Sequence, residues 1–475
     1  MKTLWLTVAV LLLGPAAASA QPVFAGHEIF PASEFAARRA RVIEQIGTGV
    51  AIIQGATERP GEQAFRQNNQ FFYLCGVAEP RAILLIDGRA RTATAFLQPR
   101  NDRREQRAFG PGLYPGPEAA SATGLDAVRD RAEFAAALAA IAAEGRPIHT
   151  PFRPAVLGQA SSGDPAAMWR ATKADPWDGR VSREDAFVAK LRAAAPSSEL
   201  KDLDPIIDGL RLIKSPREID LIRAATRIAG LAIMEAMRDA QPGMFEYELQ
   251  ASAEFVFKRL GAYGPSYFAL IATGTNTYYT HYHKATARLH DGDLVQIDYG
   301  PDYKYYQGDV TRVFPASGRF TPRQREHYGI ALELYRALLT SLRPRASAQD
   351  VIRDAVVKMD EAMAAFPFND PAIKAAAAAY VERYRASKAT SLGHHVGMEV
   401  HDVRGPSPPA TLEPGMVFTI EPALLLDDER LGIRLEDMLV VTESGIENLS
   451  AFVPIEMDAI ESLMAQKGLS EYRLK

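Results

Sequence analysis

The chain has 475 residues, a length that points to two domains rather than one core. With 47% hydrophobic and 24% charged residues it is globular, which excludes a disordered or fibrous protein. A net charge of -4 offers no basic surface for nucleic acid or an anionic membrane, and nothing after the N-terminal segment is apolar and long enough to span a bilayer.

The N-terminus reads as an export signal. Lys2 is followed by an apolar run from Leu4 to Leu13, then Gly14-Pro15, then Ala18-Ser19-Ala20. That is a charged start, a short apolar core and an A-x-A cleavage site, so residues 1–20 are expected to be removed and Gln21 to begin an exported, periplasmic or secreted, protein. The single cysteine, Cys75, excludes an intrachain disulfide; it lies in the apolar run Phe71–Gly76, which reads as a buried strand.

Residues 27–205 read as a first α/β domain. Gly49–Ile53 and Ala82–Ile86 are expected strands, and the alanine-rich Arg131–Ala143 an expected helix. Pro154–Trp177, rich in Gly, Pro, Ser and Asp, reads as a loop. A second domain, 213–460, opens at Ser215-Pro216-Arg217-Glu218, which has a capping residue, a proline at the first helical position and a reciprocal glutamate. Further helices are expected at 246–260, 321–343, 348–366 and 371–388. Strands are expected at Leu294–Tyr299, Asp309–Phe314, Met416–Ile420 and Met438–Thr442. Tyr303, Tyr305 and Tyr306 read as a packing patch, and His27, His149, His283, His290 and His327 as surface or packing histidines.

Five side chains stand out by context. Asp298, Asp309, Glu421 and Glu436 lie in or at the ends of strand-like runs, and His394 lies in Leu392-Gly393-His394-His395. Carboxylates are costly to bury unless paired or metal-bound, and four with one imidazole suit hard or borderline divalent ions, Mn²⁺ first, with Zn²⁺ or Co²⁺ also compatible. Taken singly, each carboxylate is better read as an ordinary strand-end residue in a salt bridge, and spacing leaves open whether they converge.

Over residues 210–450 the chain resembles the pita-bread metallopeptidases, the group containing Xaa-Pro aminopeptidase (aminopeptidase P), prolidase and creatinase. The resemblance is carried by Ile213-Lys214-Ser215-Pro216, Asp291–Val295, Gly308–Pro315, Gly397–Asp402, Thr419–Pro422 and Gly432–Asp437. Arg66–Gly76 is similar to the N-terminal domain of aminopeptidase P, which favours that enzyme over methionine aminopeptidase.

The resemblance implies a two-metal site with Asp298, Asp309, His394, Glu421 and Glu436 as ligands, Asp309 and Glu436 bridging both ions. His394 is preferred to His395 because the family's next functional histidine falls seven residues on, at His401. Glu421 is also expected to move protons, His281 and His401 to bind substrate near the scissile bond, and Arg434 to support the ligands. The implied activity is hydrolysis of the bond before a proline at position two of a peptide. A dipeptidase of prolidase type is the nearest alternative, and a metal-free amidinohydrolase or a non-catalytic module on the same fold are more remote ones. A homodimer is the family's default. One departure is Thr390, where the family often has a substrate-side histidine.

Overall fold

The computed structural model describes residues 25–58, 64–106, 112–156, 165–403 and 411–469. The expected export signal at residues 1–20 lies outside them. Val50–Gln54 (β1) and Ile83–Asp87 (β2), the two buried runs legible in the sequence, pair antiparallel with Ile52 opposite Leu85. Thr92–Leu97 (β3), Ala127–Asp130 (β4), Ile148–Thr150 (β5) and Leu200–Asp202 (β6) complete a sheet of order β4-β3-β2-β1-β5-β6. Alternate residues face opposite sides. Val50, Ile52, Ile83 and Leu85 pack with Leu138, Ile141 and Leu191 from the helices Phe134–Ala143 and Arg183–Ala194, while Ala51, Ile53, Leu84 and Ile86 join the main core.

Two expectations are corrected. Phe71–Gly76 is not a strand: Asn69–Cys75 is a helix whose N-cap, Asn68, accepts from the Phe71 amide at 3.0 Å, and which ends at Gly76 with φ 67°. A short, wholly apolar run has no periodicity to separate strand from helix. Cys75 is nonetheless buried, and burial pushes its thiol up to about 12, so it is inert. The segment Pro154–Trp177 is not all loop, because Pro165–Ala174 is helical.

In the second half the helix Pro216–Asp239 begins with the full capping box, Ser215 and Glu218 exchanging bonds with each other's backbone. The helix Glu246–Arg259 follows. Five short strands come next: Gly264–Pro265 (β7), Leu270–Thr273 (β8), Leu294–Asp298 (β9), Pro301–Tyr303 (β10) and Tyr306–Gln307 (β11). Thr311–Pro315 (β12) pairs with β9 so that Thr311 faces Asp298, and β8 pairs on the other side of β9. Three helices, Pro322–Leu339, Ala348–Ala365 and Pro371–Ala386, precede Val417–Ile420 (β13), Ala423–Leu426 (β14), Leu431–Arg434 (β15), Asp437–Val441 (β16) and Ile446–Asn448 (β17). β13 pairs with β16, and β14 with β15. An isolated bridge between Thr311 and Glu436 ties these C-terminal strands to β12. No helix among the described residues is long and apolar enough to cross a membrane.

Candidate active site

The strand ends decide where the carboxylates go. Asp298 is the last residue of β9, Asp309 precedes β12, Glu421 lies between β13 and β14, and Glu436 between β15 and β16. Because β9 pairs with β12 and Thr311 bridges to Glu436, these ends meet. Asp309, His394 and Glu436 each offer a ligand atom, all within 4.8 Å of one another. Asp298 is joined to Asp309 by the Tyr267 hydroxyl, 2.6 Å from Oδ1 of each. Glu421 is joined through His394, whose Nε2 lies 3.3 Å from Glu421 Oε1 and 3.5 Å from Asp309 Oδ2.

The surroundings hold this set in place. Thr311 Oγ1 donates to Glu436 Oε2 at 2.6 Å. Arg434 is wholly buried; its Nη2 bonds Asp298 Oδ2, and its Nη1 donates to the Thr280 carbonyl at 2.9 Å and lies 3.9 Å from Glu421. Its backbone N–H meets Gln296 Oε1 at 3.3 Å. Gly393 allows the chain carrying His394 to run against β13: a Cβ there would sit 1.9 Å from the Thr419 carbonyl oxygen, and the Thr419 amide donates to the His394 carbonyl at 2.9 Å.

The electrostatics are those of a cation site. Burial, then the Asp298 and Glu421 charges, pushes Asp309 well above the usual carboxylate range, and burial with Asp309, Glu421 and Asp298 does the same to Glu436. Burial also acts to raise Glu421, but the bond to His394 and the charges of His394, Arg434 and His401 overcome it and hold Glu421 at about 2. His394 is raised despite its burial, by Glu421. Glu436 Oε1 is buried with no hydrogen-bond partner among the described residues. A lone pair of this kind, in a carboxylate-rich group with one imidazole, fits a divalent ion.

The remaining candidates fall on either side of this group. The His401 ring lies against that of His394, centroids 4.0 Å apart and planes tilted by 37°. His281 stands exposed on the stretch after β8 and is not part of the cluster; it is linked to it through Thr280 and Arg434. His395 turns away, its Nδ1 3.3 Å from the Val417 carbonyl oxygen, and burial lowers it to about 4. His149 and His327 are buried and His283 and His290 exposed; the side chain of His27 lies outside what is described. Tyr305 and Tyr306 are buried in packing. Sequence reasoning missed Tyr267 and Thr311, whose roles arise only when β9 and β12 are side by side.

A model of metallopeptidase family M24 matches residues 220–443, and one of the aminopeptidase P N-terminal domain matches residues 35–149. The chain belongs to metallopeptidase family M24, with a mixed α/β architecture of an aminopeptidase P N-terminal domain and a pita-bread catalytic domain. Within that family it is similar to Xaa-Pro aminopeptidases. That of Escherichia coli (strain K12) is 32% identical over 449 residues, covering 91% of this chain and 97% of that protein. Xaa-Pro aminopeptidase 3 of Homo sapiens is 29% identical over 428 residues, covering 85% and 77%. Among solved structures, aminopeptidase P from E. coli with the inhibitor Pro-Leu superposes with TM-score 0.72 at 30% identity, covering 92% of this chain and 98% of that one. Proline aminopeptidase P II from Yersinia pestis gives TM-score 0.72 at 32% identity, covering 92% and 100%.

Proposed function

We propose that the protein is a metal-dependent aminopeptidase that releases the N-terminal residue from peptides with proline in the second position. The reading is supported above all by the convergence of Asp309, His394 and Glu436 within 4.8 Å, with an unpartnered Glu436 oxygen beside them. In this reading Asp298, Asp309, His394, Glu421 and Glu436 hold two divalent ions, Mn²⁺ by preference from the ligand chemistry, with Zn²⁺ or Co²⁺ compatible. When bound, such ions supply an activated water near neutral pH and polarise the scissile carbonyl.

The protein's own groups do the rest. Glu421 takes a proton at its carboxylate and passes it to the leaving proline nitrogen, a role its contact with His394 prepares. His401, whose ring lies against His394, donates to the oxygen that gains charge during attack. His281, at the exposed side, orients the peptide bond. Arg434 fixes Asp298 and balances its charge. We assign the domains as 27–205 and 213–460, an exported chain beginning at Gln21, and a homodimer as the assembly. Mass spectrometry of the exported fraction and light scattering of the purified protein check the last two.

The test of the activity is a peptide panel of Xaa-Pro-Yaa, Xaa-Pro and Xaa-Ala-Yaa, run with Mn²⁺, Zn²⁺ or Co²⁺ and then with chelator. Cleavage of Xaa-Pro-Yaa that chelator abolishes is expected. Cleavage confined to Xaa-Pro identifies a dipeptidase, and no cleavage with any ion overturns the reading.

A further inference from the structure

Glu246, the first residue of the helix Glu246–Arg259, is fully buried at 0% exposure, although it lies outside the metal group. Its carboxylate accepts four hydrogen bonds. Oε1 accepts from the Thr273 amide at 2.8 Å and Asn276 Nδ2 at 3.2 Å, and Oε2 from the Tyr282 hydroxyl at 2.8 Å and the Ala287 amide at 2.9 Å. All four donors lie on the one stretch, residues 273–287, that carries His281. The same stretch is paired to the start of the helix: the Glu246 amide donates to Ala287 and the Tyr247 amide to Ala285, both at 3.0 Å.

A buried carboxylate is tolerated where its lone pairs are met by donors, and the helix N-terminus favours its charge. What distinguishes this one is what its donors flank. Tyr282 immediately follows His281, and Thr280 immediately precedes it. The Thr280 carbonyl is held by Arg434, which also bonds Asp298. His281 is therefore gripped on one side from the metal group and on the other from Glu246. Its own carbonyl accepts from His283 Nδ1 at 2.9 Å, and the His283 ring lies 4.5 Å from that of Phe268.

We propose that Glu246 is a positioning residue for His281, acting through the Tyr282 hydroxyl to fix where the imidazole meets the substrate. The inference rests on the role given to His281 above. Glu246→Gln replaces one acceptor oxygen with an amide that faces donors and is the direct variant; because it also disturbs the fold around a buried site, Tyr282→Phe, which removes one donor and keeps the ring, is the decisive one. Both are made alone and with His281→Ala, and kcat, KM, metal content and Tm are measured on Xaa-Pro-Yaa.

Tyr282→Phe is expected to lower kcat about tenfold or more, as small misplacements of a reacting group do, with metal content unchanged. In the His281→Ala background the same change is expected to alter kcat by less than about twofold, the scatter of independent sites, since the group it positions is gone. An equal loss with and without His281 marks a general structural role and overturns the inference, as does an unchanged kcat in Tyr282→Phe alone. If His281→Ala by itself retains the parental rate, the role of His281 falls first and this inference with it, a failure visible in that single variant.

Discussion

The two oxygens of Glu436 are in different circumstances: Thr311 donates to one, and the other is buried without a partner among the described residues. Removing the side chain takes away a ligand oxygen from the point where Asp309 and His394 also meet, so Glu436→Ala is expected to lose most of its bound metal. His401 touches His394 by a tilted ring contact rather than joining the group. His401→Ala is therefore expected to keep its metal and lose about 10²–10³ in kcat, as for a lost oxyanion donor. Elemental analysis with kinetics separates the two; equal metal loss in both variants contradicts the assignment of His401. The raised Asp309 and Glu436 carboxyls carry a second consequence. In the metal-free protein they hold protons that the unfolded chain has lost above about pH 4, so their contribution to stability falls as pH rises from there toward their folded values. Metal must displace those protons. Titration calorimetry of the metal-free protein in buffers of different ionisation enthalpy is expected to show proton release on metal addition, larger at lower pH; a buffer-independent heat contradicts it.

At the level of elements, His394 and Glu421 come together because the chain at Gly393 lies against β13. Gly393→Ala puts a methyl carbon 1.9 Å from the Thr419 carbonyl oxygen, where only backbone movement relieves it. A loss of about 1–3 kcal/mol in stability is expected, together with weaker metal binding, because the displaced segment carries His394. Denaturant unfolding and metal titration of this variant check both, and parental metal affinity would contradict the dependence of His394 on this packing. Elements with strong local signals were legible in the sequence. The capping box at Ser215 marked the helix start at Pro216, and the β-branched runs marked β1, β2, β9 and β16. The helix Asn69–Cys75 was not legible, since an unbroken apolar run carries no period, and neither was Pro165–Ala174 behind its Gly- and Ser-rich approach. Motif context singled out Asp309, His394 and Glu436, whose ligand atoms the structure brings within 4.8 Å of one another. The side chains that hold them did not appear, because Tyr267 meets Asp298 and Asp309 only across 31 and 42 residues of chain.

Across the whole molecule, the first sheet and the catalytic half are joined by buried polar contacts as well as by a shared core. Arg66 Nε donates to Asp302 Oδ2 at 2.6 Å, with both side chains under 10% exposed, and its guanidinium lies 4.5 Å from the Tyr305 ring centroid. Tyr305 in turn stacks on Phe72 at 3.7 Å, and Asn69 Nδ2 donates to the Met398 carbonyl at 3.1 Å, on the segment between His394 and His401. The other Asp302 oxygen has no partner among the described residues, so Arg66 is what makes that charge tolerable. Arg66→Met strands a buried carboxylate, and a loss of about 3–5 kcal/mol is expected; adding Asp302→Asn removes the stranded charge and is expected to restore much of it. Because the main core runs without a break from Phe30 to Leu463, the halves are expected to melt together, giving one transition at lower temperature rather than two. Scanning calorimetry of the metal-free parent, the single variant and the double variant tests both points. A calorimetric enthalpy well above the van 't Hoff value, or an early transition belonging to one half alone, would mean that the first domain is an independent attachment and that Arg66 does not bind the two into one folding unit.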